Sequence, residues 1–214
     1  SYVVYQITDG GQVEKLSGKC ITKDGARFVE VTAAAPGTFV AVAAEVLPFT
    51  DVAEDAYYYD AVLWAVDKGI TAGKTETTFV PGETCTTAHI LTFLWRASGS
   101  PEPTIENPFT DVKEDDYYYQ AALWAHEKEL VSGNVFTASA PCTRGQTMLY
   151  LYLLAGSPAA EPTTFTDVAA DSVYNRAISW AVTQGITTGK TETTFAPDEI
   201  CTRGHIVTFL YRAK

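Results

Sequence analysis

The stretch Phe165-Thr166-Asp167-Val168 decides the fold, because the same four residues occur twice more in the chain. They are Phe49-Thr50-Asp51-Val52 and Phe109-Thr110-Asp111-Val112, and the two intervals between the three copies differ in length. A Trp-Ala pair stands 13 residues after each Asp of this motif. Each unit then continues with a Gly-containing loop, a Cys-Thr pair and an apolar run. Such self-similarity is the signature of tandem repeats that bury their core against one another. The sequence therefore predicts three repeats.

Two helices are predicted within each repeat. In the first repeat Ala61, Trp64 and Ala65 occupy positions i, i+3 and i+4, which lie on one face of a helix. We expect this helix over residues 56–68. A second helix is predicted to begin after Thr86, a residue type that caps helix N-termini, and to end near residue 97.

The residues at the helix ends differ between repeats. Gly69 is a natural left-handed stop for the first helix of repeat one, and Glu129 stands at its place in repeat two. Thr143 and Gln146 form the capping-box pattern, in which the two residues satisfy each other's backbone N–H groups. The other two repeats have His89 and His205 in place of this glutamine, and these histidines are expected to cap less well.

The first 47 residues differ from the rest and read as three or four strands separated by Gly-containing turns. We therefore predict a mainly α fold of three tandem helix–loop–helix repeats in a pseudo-threefold arrangement, preceded by a short all-β segment. The segment is interpreted as the tail of a larger β domain or as a small β module, since the chain begins directly in strand-like sequence. The predicted boundaries are 1–47, 48–103, 104–164 and 165–214.

Charge and composition exclude several classes of function. The chain has 26 acidic and 15 basic residues, and its formal net charge is −11. A general nucleic-acid-binding protein needs a basic surface, and a peripheral membrane protein usually does too. No apolar run approaches the roughly 18 residues of a membrane span. The acid excess lies in the first two repeats, whereas residues 165–214 have equal numbers of acids and bases, which favours the third repeat for an anionic ligand.

Catalytic and cofactor motifs are missing from the sequence. It has three histidines and no P-loop, HExxH, nucleophile-elbow or EF-hand pattern. Its four cysteines are far apart, which excludes a CxxC metal or redox motif. We therefore predict a protein that is not an enzyme and needs no cofactor.

The repeats resemble S-layer homology (SLH) modules over residues 49–214. The third repeat comes closest to the family pattern, with Gly185-Ile186-Thr187-Thr188-Gly189, Phe195-Ala196-Pro197 and Cys201-Thr202-Arg203 in the family's order. The resemblance implies a three-pronged helical fold and non-covalent attachment of a bacterial surface protein to the cell wall. The implied ligand is a secondary cell-wall polysaccharide linked to peptidoglycan, often carrying a ketal-linked pyruvate, bound in grooves between repeats. The implied location is the outer cell surface.

The same resemblance identifies candidate ligand-binding residues. The family's Thr-Arg motif corresponds to Arg144 and Arg203, and an arginine fork matches a carboxylate. Thr87 takes this place in repeat one, so we expect at most two competent grooves and rank the Arg203 groove first. The family's usual tryptophan early in the first helix is tyrosine or valine here. The other candidates are the motif aspartates, the loop glycines, two lysines and two aromatic residues: Asp51, Asp111, Asp167, Gly73, Gly133, Gly189, Lys74, Lys190, Trp180 and Tyr174.

Several of these residue types also have purely structural interpretations. For the aspartates we favour a role as acceptors for backbone N–H groups. For Trp180 we favour packing in the core over stacking on a sugar. Cys85, Cys142 and Cys201 are expected to act as small buried hydrophobic residues. A three-thiolate metal site and a disulfide with Cys20 are the alternatives.

Two other functions remain open from the sequence. One is a surface interaction module that binds a host glycan or a protein, with degenerate wall-binding grooves. The other is a stalk that binds no ligand.

Overall fold

The computed structural model describes residues 2–16, 18–23, 26–43 and 47–214. The chain divides into two compact units, Ser1–Leu47 and Pro48–Lys214.

The first unit consists of antiparallel strands. Their bounds are β1 (Tyr2–Ile7), β2 (Val13–Leu16), β3 (Gly18–Lys23), β4 (Ala26–Val31) and β5 (Thr38–Ala43). Strands β2, β1 and β5 form one sheet with β1 in the centre, and β3 pairs with β4 in a second. The five strands exceed the three or four predicted, and the predicted turn at 24–25 lies outside the described residues.

Two buried side chains of β1 contact the neighbouring strands and the turn before β5. Val4 is buried and pairs with Leu16 on one side and Ala41 on the other. The amide Nε2 of Gln6, also buried, donates a 2.7 Å hydrogen bond to the carbonyl of Ala35. This bond satisfies a polar group that would otherwise be costly to bury.

The second unit contains two helices in each repeat, as predicted. They are α1 (Tyr59–Asp67), α2 (Thr87–Ala97), α3 (Tyr119–Glu127), α4 (Arg144–Leu154), α5 (Asn175–Thr183) and α6 (Arg203–Ala213). The first helix of repeat one begins three residues later than predicted, because the Ala53 and Ala56 carbonyls accept the turn hydrogen bonds from Ala56 N–H and Tyr59 N–H. None of the helices in the described residues is long and apolar enough for a membrane crossing.

The helices pack between repeats in a closed order. The second helix of each repeat packs against the first helix of the next, α2 on α3 and α4 on α5, and α6 returns to α1. The backbone closes the same ring at the cysteines, where Cys85 N–H donates to Cys201, Cys201 N–H to Cys142 and Cys142 N–H to Cys85, at 2.8–2.9 Å. Each repeat therefore completes its core with its neighbours.

The cysteine side chains fill the centre of this ring as small hydrophobic groups. All three are buried with free thiols. Burial raises the pKa of Cys85 and Cys142 to about 12 and that of Cys201 to about 11, so the thiols stay protonated at neutral pH. The three-thiolate alternative is wrong, since the described residues hold no cluster of three metal-ligating side chains. The side chain of Cys20 lies outside the described residues.

The predicted helix ends and the threonine N-caps are confirmed, whereas the prediction of which repeats have complete capping boxes was wrong. Glu129 adopts the left-handed conformation, φ +57°, that Gly69 adopts in repeat one at φ +65°. The complete capping boxes, however, belong to the histidine repeats, where Thr86 pairs with His89 and Thr202 with His205. Gln146 does not complete its box, because its Oε1 accepts a 3.2 Å hydrogen bond from the Tyr174 hydroxyl.

Candidate functional site

The motif aspartates hold the loop that joins the two helices of each repeat. In repeat one the Asp51 carboxylate accepts the N–H groups of Phe79 and Val80 at 2.8 and 2.7 Å. Val80 has φ +57°, a strained conformation for a β-branched residue, and these bonds hold it there. The bonds recur at Asp111 and Asp167. The predicted role of the aspartates as acceptors for backbone N–H groups is confirmed.

Arg203 reaches from the third repeat into the loop of the first. Its Nε donates to the Phe79 carbonyl at 3.0 Å, and its Nη2 donates to the Ala72 carbonyl at 2.9 Å. Its guanidinium carbon also lies 4.5 Å from the Phe79 ring centre, a cation–π distance. Asp51 therefore holds Arg203 through the backbone, by fixing the peptide at Phe79 to which the arginine binds.

Arg144 makes the same contacts from the second repeat into the third. Its Nε donates to the Phe195 carbonyl at 3.2 Å and its Nη2 to the Thr188 carbonyl at 3.0 Å. Its guanidinium carbon lies 4.5 Å from the Phe195 ring centre, and Asp167 holds the Phe195 N–H. Each arginine thus belongs to one repeat and binds on the loop of the next.

The two arginines are buried and only partly satisfied. Desolvation lowers the pKa of both below the ordinary value of 12.5, but a guanidinium stays charged in proteins. Within the described residues no protein acceptor is found for the Nη1 donors of either side chain, while Nε and Nη2 are used. The nearest carboxylates, Glu199 and Glu83, lie 3.9 Å from Nε of Arg144 and Arg203 respectively. Neither Nη1 is among the buried atoms that lack a partner, so these donors are accessible, and an accessible donor on a charged guanidinium suits an anionic acceptor.

A cavity of about 220 Å³ opens beside Arg144. Its walls come from the loop of repeat three, from α6 and, through Tyr57, from repeat one. Lys190 and Arg212 add two cations to the wall, and Glu199, which binds the Lys190 ammonium at 2.7 Å, is the neighbouring carboxylate. The full lining is Tyr57, Arg144, Thr187, Thr188, Gly189, Lys190, His205, Thr208, Phe209 and Arg212. The site therefore carries a local excess of positive charge on an acidic protein.

An equivalent set of residues surrounds Arg203. Lys74 binds Glu83 at 2.8 Å, as Lys190 binds Glu199. Arg96 Nη1 donates to a loop carbonyl at 3.3 Å, and Arg212 Nη1 does so at 3.5 Å. His89 lies 6.2 Å from the Tyr117 ring, the distance that also separates His205 from Tyr57. We call the two sets the Arg144 site and the Arg203 site.

The third interface, between repeats one and two, lacks this chemistry. Thr87 stands where the other interfaces have arginine, and its backbone N–H donates to Ala140 at 2.8 Å. Leu153 stands where α6 has Arg212, and Val173 where the first repeat has Tyr57. Asp111 and Gly133 belong to the loop of this interface and so face no arginine.

The structure sorts the residues predicted from the sequence into three groups. Arg144, Gly189 and Lys190 line one cavity, while Arg203 lies with Lys74 and Gly73 at the other site. Trp180 and Tyr174 lie in neither lining. Trp180 packs against Tyr152, with ring centres 5.7 Å apart, and the Tyr174 ring packs against Gly145 of α4.

The basic and aromatic residues that α6 contributes to the cavity wall beyond the family's motifs were not predicted from the sequence. Arg212 follows His205 and Phe209 at positions i, i+4 and i+7, so the three share one face of α6. That spacing was available in the sequence. Tyr57 stands at the position of the family's usual tryptophan in the first helix, but it was not included among the candidate ligand-binding residues.

The two capping histidines make stability depend on pH. Burial lowers the pKa of His89 and His205 below the ordinary value of 6.5. Since the unfolded chain then binds the proton more readily, we expect full stability above pH 6.5 and a decline as the pH falls below it. Denaturant titrations from pH 7.5 to 5 measure this. The double variant His89→Gln/His205→Gln should show a flatter profile, and an equal decline in both proteins would contradict the assignment.

Comparison with known proteins gives two matches. The family model described as "S-layer homology domain" matches residues 48–88, 108–148 and 164–206. An amylopullulanase from Thermoanaerobacterium thermosulfurigenes is 26% identical over 175 residues, which cover 76% of this chain. The match spans 9% of the length of that relative.

Proposed function

Because the chain belongs to the S-layer homology family, whose members generally anchor proteins to the cell wall, we propose that its three repeats form a non-covalent cell-wall anchoring module. The ligand is a secondary cell-wall polysaccharide linked to peptidoglycan, anionic and carrying ketal-linked pyruvate. The module acts at the outer surface of a bacterium. It carries no catalysis of its own, and it holds other parts of a longer protein at the wall.

The observation that carries this proposal is the pair of buried arginines with unused donors. Each Nη1 group offers two N–H donors, and neighbouring lysine and arginine side chains add to the positive charge around it. A carboxylate has the planar geometry that an arginine fork matches, and its charge offsets the cost of burying the guanidinium. The ketal-linked pyruvate presents such a carboxylate on the edge of a sugar ring.

Exposed tyrosines beside both sites suit the sugar itself. Tyr57 and Tyr117 are each 60% exposed, an unusual level for large aromatic residues in a well-packed protein. Each ring lies beside the histidine of its site, at 6.2 Å. Aromatic faces pack against the apolar face of a sugar, so these residues replace Trp180 and Tyr174 as the proposed stacking groups.

The ring of contacts between repeats supports a pseudo-threefold arrangement with two binding sites. The cyclic order of helix packing and of the cysteine hydrogen bonds is what such an axis requires. The third interface, which has Thr87 in place of arginine, favours a second candidate function. In that candidate the module binds a host glycan or a protein through a surface that has lost wall recognition.

A sedimentation experiment tests the proposal. The full chain is mixed with wall polysaccharide purified from the bacterium that produces this protein. One sample of the polysaccharide is intact, and the other has lost its ketal-linked pyruvate by treatment with mild acid. We expect binding to the intact polymer and at least a tenfold loss after removal, because the carboxylates are the partners of the arginines. Equal binding to the stripped polymer would contradict anionic recognition, and no binding to either form would contradict anchoring.

A further inference from the structure

Both binding sites contain a histidine whose ring is fixed in one protonation state by the backbone. The N–H of Thr202 donates to Nδ1 of His205 at 3.2 Å, and the N–H of Thr86 donates to Nδ1 of His89 at 3.3 Å. A nitrogen that accepts a hydrogen bond carries no proton, and a neutral imidazole has one N–H. The proton must therefore lie on Nε2 in both rings.

The fixed Nε2–H groups have no partner in the protein. Within the described residues neither Nε2 makes a hydrogen bond, although both rings are half-buried. His205 lines the cavity beside Arg144, between the rings of Tyr57 at 6.2 Å and Phe209 at 6.4 Å.

We infer that His205 and His89 are specificity-determining residues, each donating its Nε2–H to a carbonyl or carboxylate oxygen of the bound saccharide. The inference rests on the proposed function of the two sites. A ligand group that can only donate at this position would leave two donors facing each other, so the histidine selects acceptors. The duplication of the same hydrogen bond in both sites supports a shared role, since the third repeat interface has Gln146 instead.

Burial, and not the neighbouring charges, keeps the imidazole neutral. His205 faces Glu199, Lys190 and Arg144, and His89 faces the matching Glu83, Lys74 and Arg203. Desolvation is the largest influence, and it lowers the pKa of both histidines. A second proton on Nδ1 would also break the cap bond from the backbone, so the donor at Nε2 is the state present at neutral pH.

The test separates the donor from the structural role of the cap. The full chain and two double variants are titrated at pH 7.5 with a synthetic methyl glycoside whose sugar carries a ketal-linked pyruvate. The variant His89→Gln/His205→Gln keeps an amide N–H donor and should bind within about threefold of the parent chain. The variant His89→Met/His205→Met has no donor and should bind about tenfold more weakly while still folding.

A spectroscopic readout distinguishes the possible failures. Nitrogen-15 chemical shifts of the imidazoles report which nitrogen carries the proton, and we expect the Nε2–H form with its resonance shifted by the saccharide. Parent-like binding by the methionine variant, or a proton on Nδ1, would overturn this inference and leave the proposed function standing. Failure of the parent chain to bind the saccharide would count against the proposed function itself, and no Nε2 shift on binding would overturn the donor role.

Discussion

Replacing Arg203 by alanine is expected to lower the free energy of unfolding by about 3 kcal/mol, because two backbone carbonyls lose a charged hydrogen-bond donor. The guanidinium donates to the carbonyls of Phe79 and Ala72 and packs on the Phe79 ring. Its loss leaves those acceptors unsatisfied and opens a cavity where α6 meets repeat one. Urea titration measures the change.

The matched control is Arg176→Ala. Arg176 is exposed, and its Nη1 also donates to a backbone carbonyl, that of Ala160 at 2.9 Å. An exposed contact of this kind contributes less than about 1 kcal/mol. Equal losses in the two variants would show that Arg203 does not join the repeats. A large loss would also mean that Arg203→Ala is a poor probe of ligand binding, because it disturbs the fold.

Replacing Gly73 by alanine is expected to destabilise the helical unit by about 3 kcal/mol, the upper part of the usual range for overpacking. A Cβ atom at this position would lie 2.2 Å from the Thr75 carbonyl oxygen and 2.5 Å from the Phe49 ring. The carbonyl belongs to the backbone of the loop that binds Arg203, so the loop must move. Gly189 has the equivalent contacts in repeat three.

Gly82→Ala is the control for this change, since no heavy atom lies within 4 Å of a Cβ built there. Thermal unfolding of the two variants should therefore differ clearly, with the Gly82 variant close to the parent chain. Similar melting temperatures would mean that the loop is looser than its contacts indicate. The close packing also gives the loop glycines a structural reason for being glycine, whether or not a ligand contacts them.

The helices could be predicted because their signals are local. Apolar spacing, the threonine N-caps and Gly69 all act within a few residues, and α1 and α2 begin and end within about one turn of their predicted bounds. The aspartates were expected to accept N–H groups of their own helix start or turn, but the groups that Asp51 accepts lie 28 and 29 residues further along the chain.

The composition of the Arg144 and Arg203 sites could not be predicted in the same way. Arg203 binds a carbonyl 124 residues away in the chain, and nothing in its own repeat indicates which loop it meets. The sequence favoured the whole third repeat for an anionic ligand, because its net charge is zero. In the structure, however, its cationic side chains belong to two different sites. Lys190 and Arg212 lie beside Arg144, whereas Arg203 lies with the lysine of repeat one.

We expect the Arg144 and Arg203 sites to bind the anionic wall polymer, and calorimetric titration of two variants with that polymer measures this. One variant replaces the cations around the arginines, Lys74→Gln/Arg96→Gln/Lys190→Gln/Arg212→Gln. The other removes equal charge elsewhere, Lys68→Gln/Lys113→Gln/Lys128→Gln/Arg176→Gln. With two charge-assisted hydrogen bonds lost per site, we expect the first variant to bind about 100-fold more weakly than the second. Equal affinities for the two variants would contradict the account.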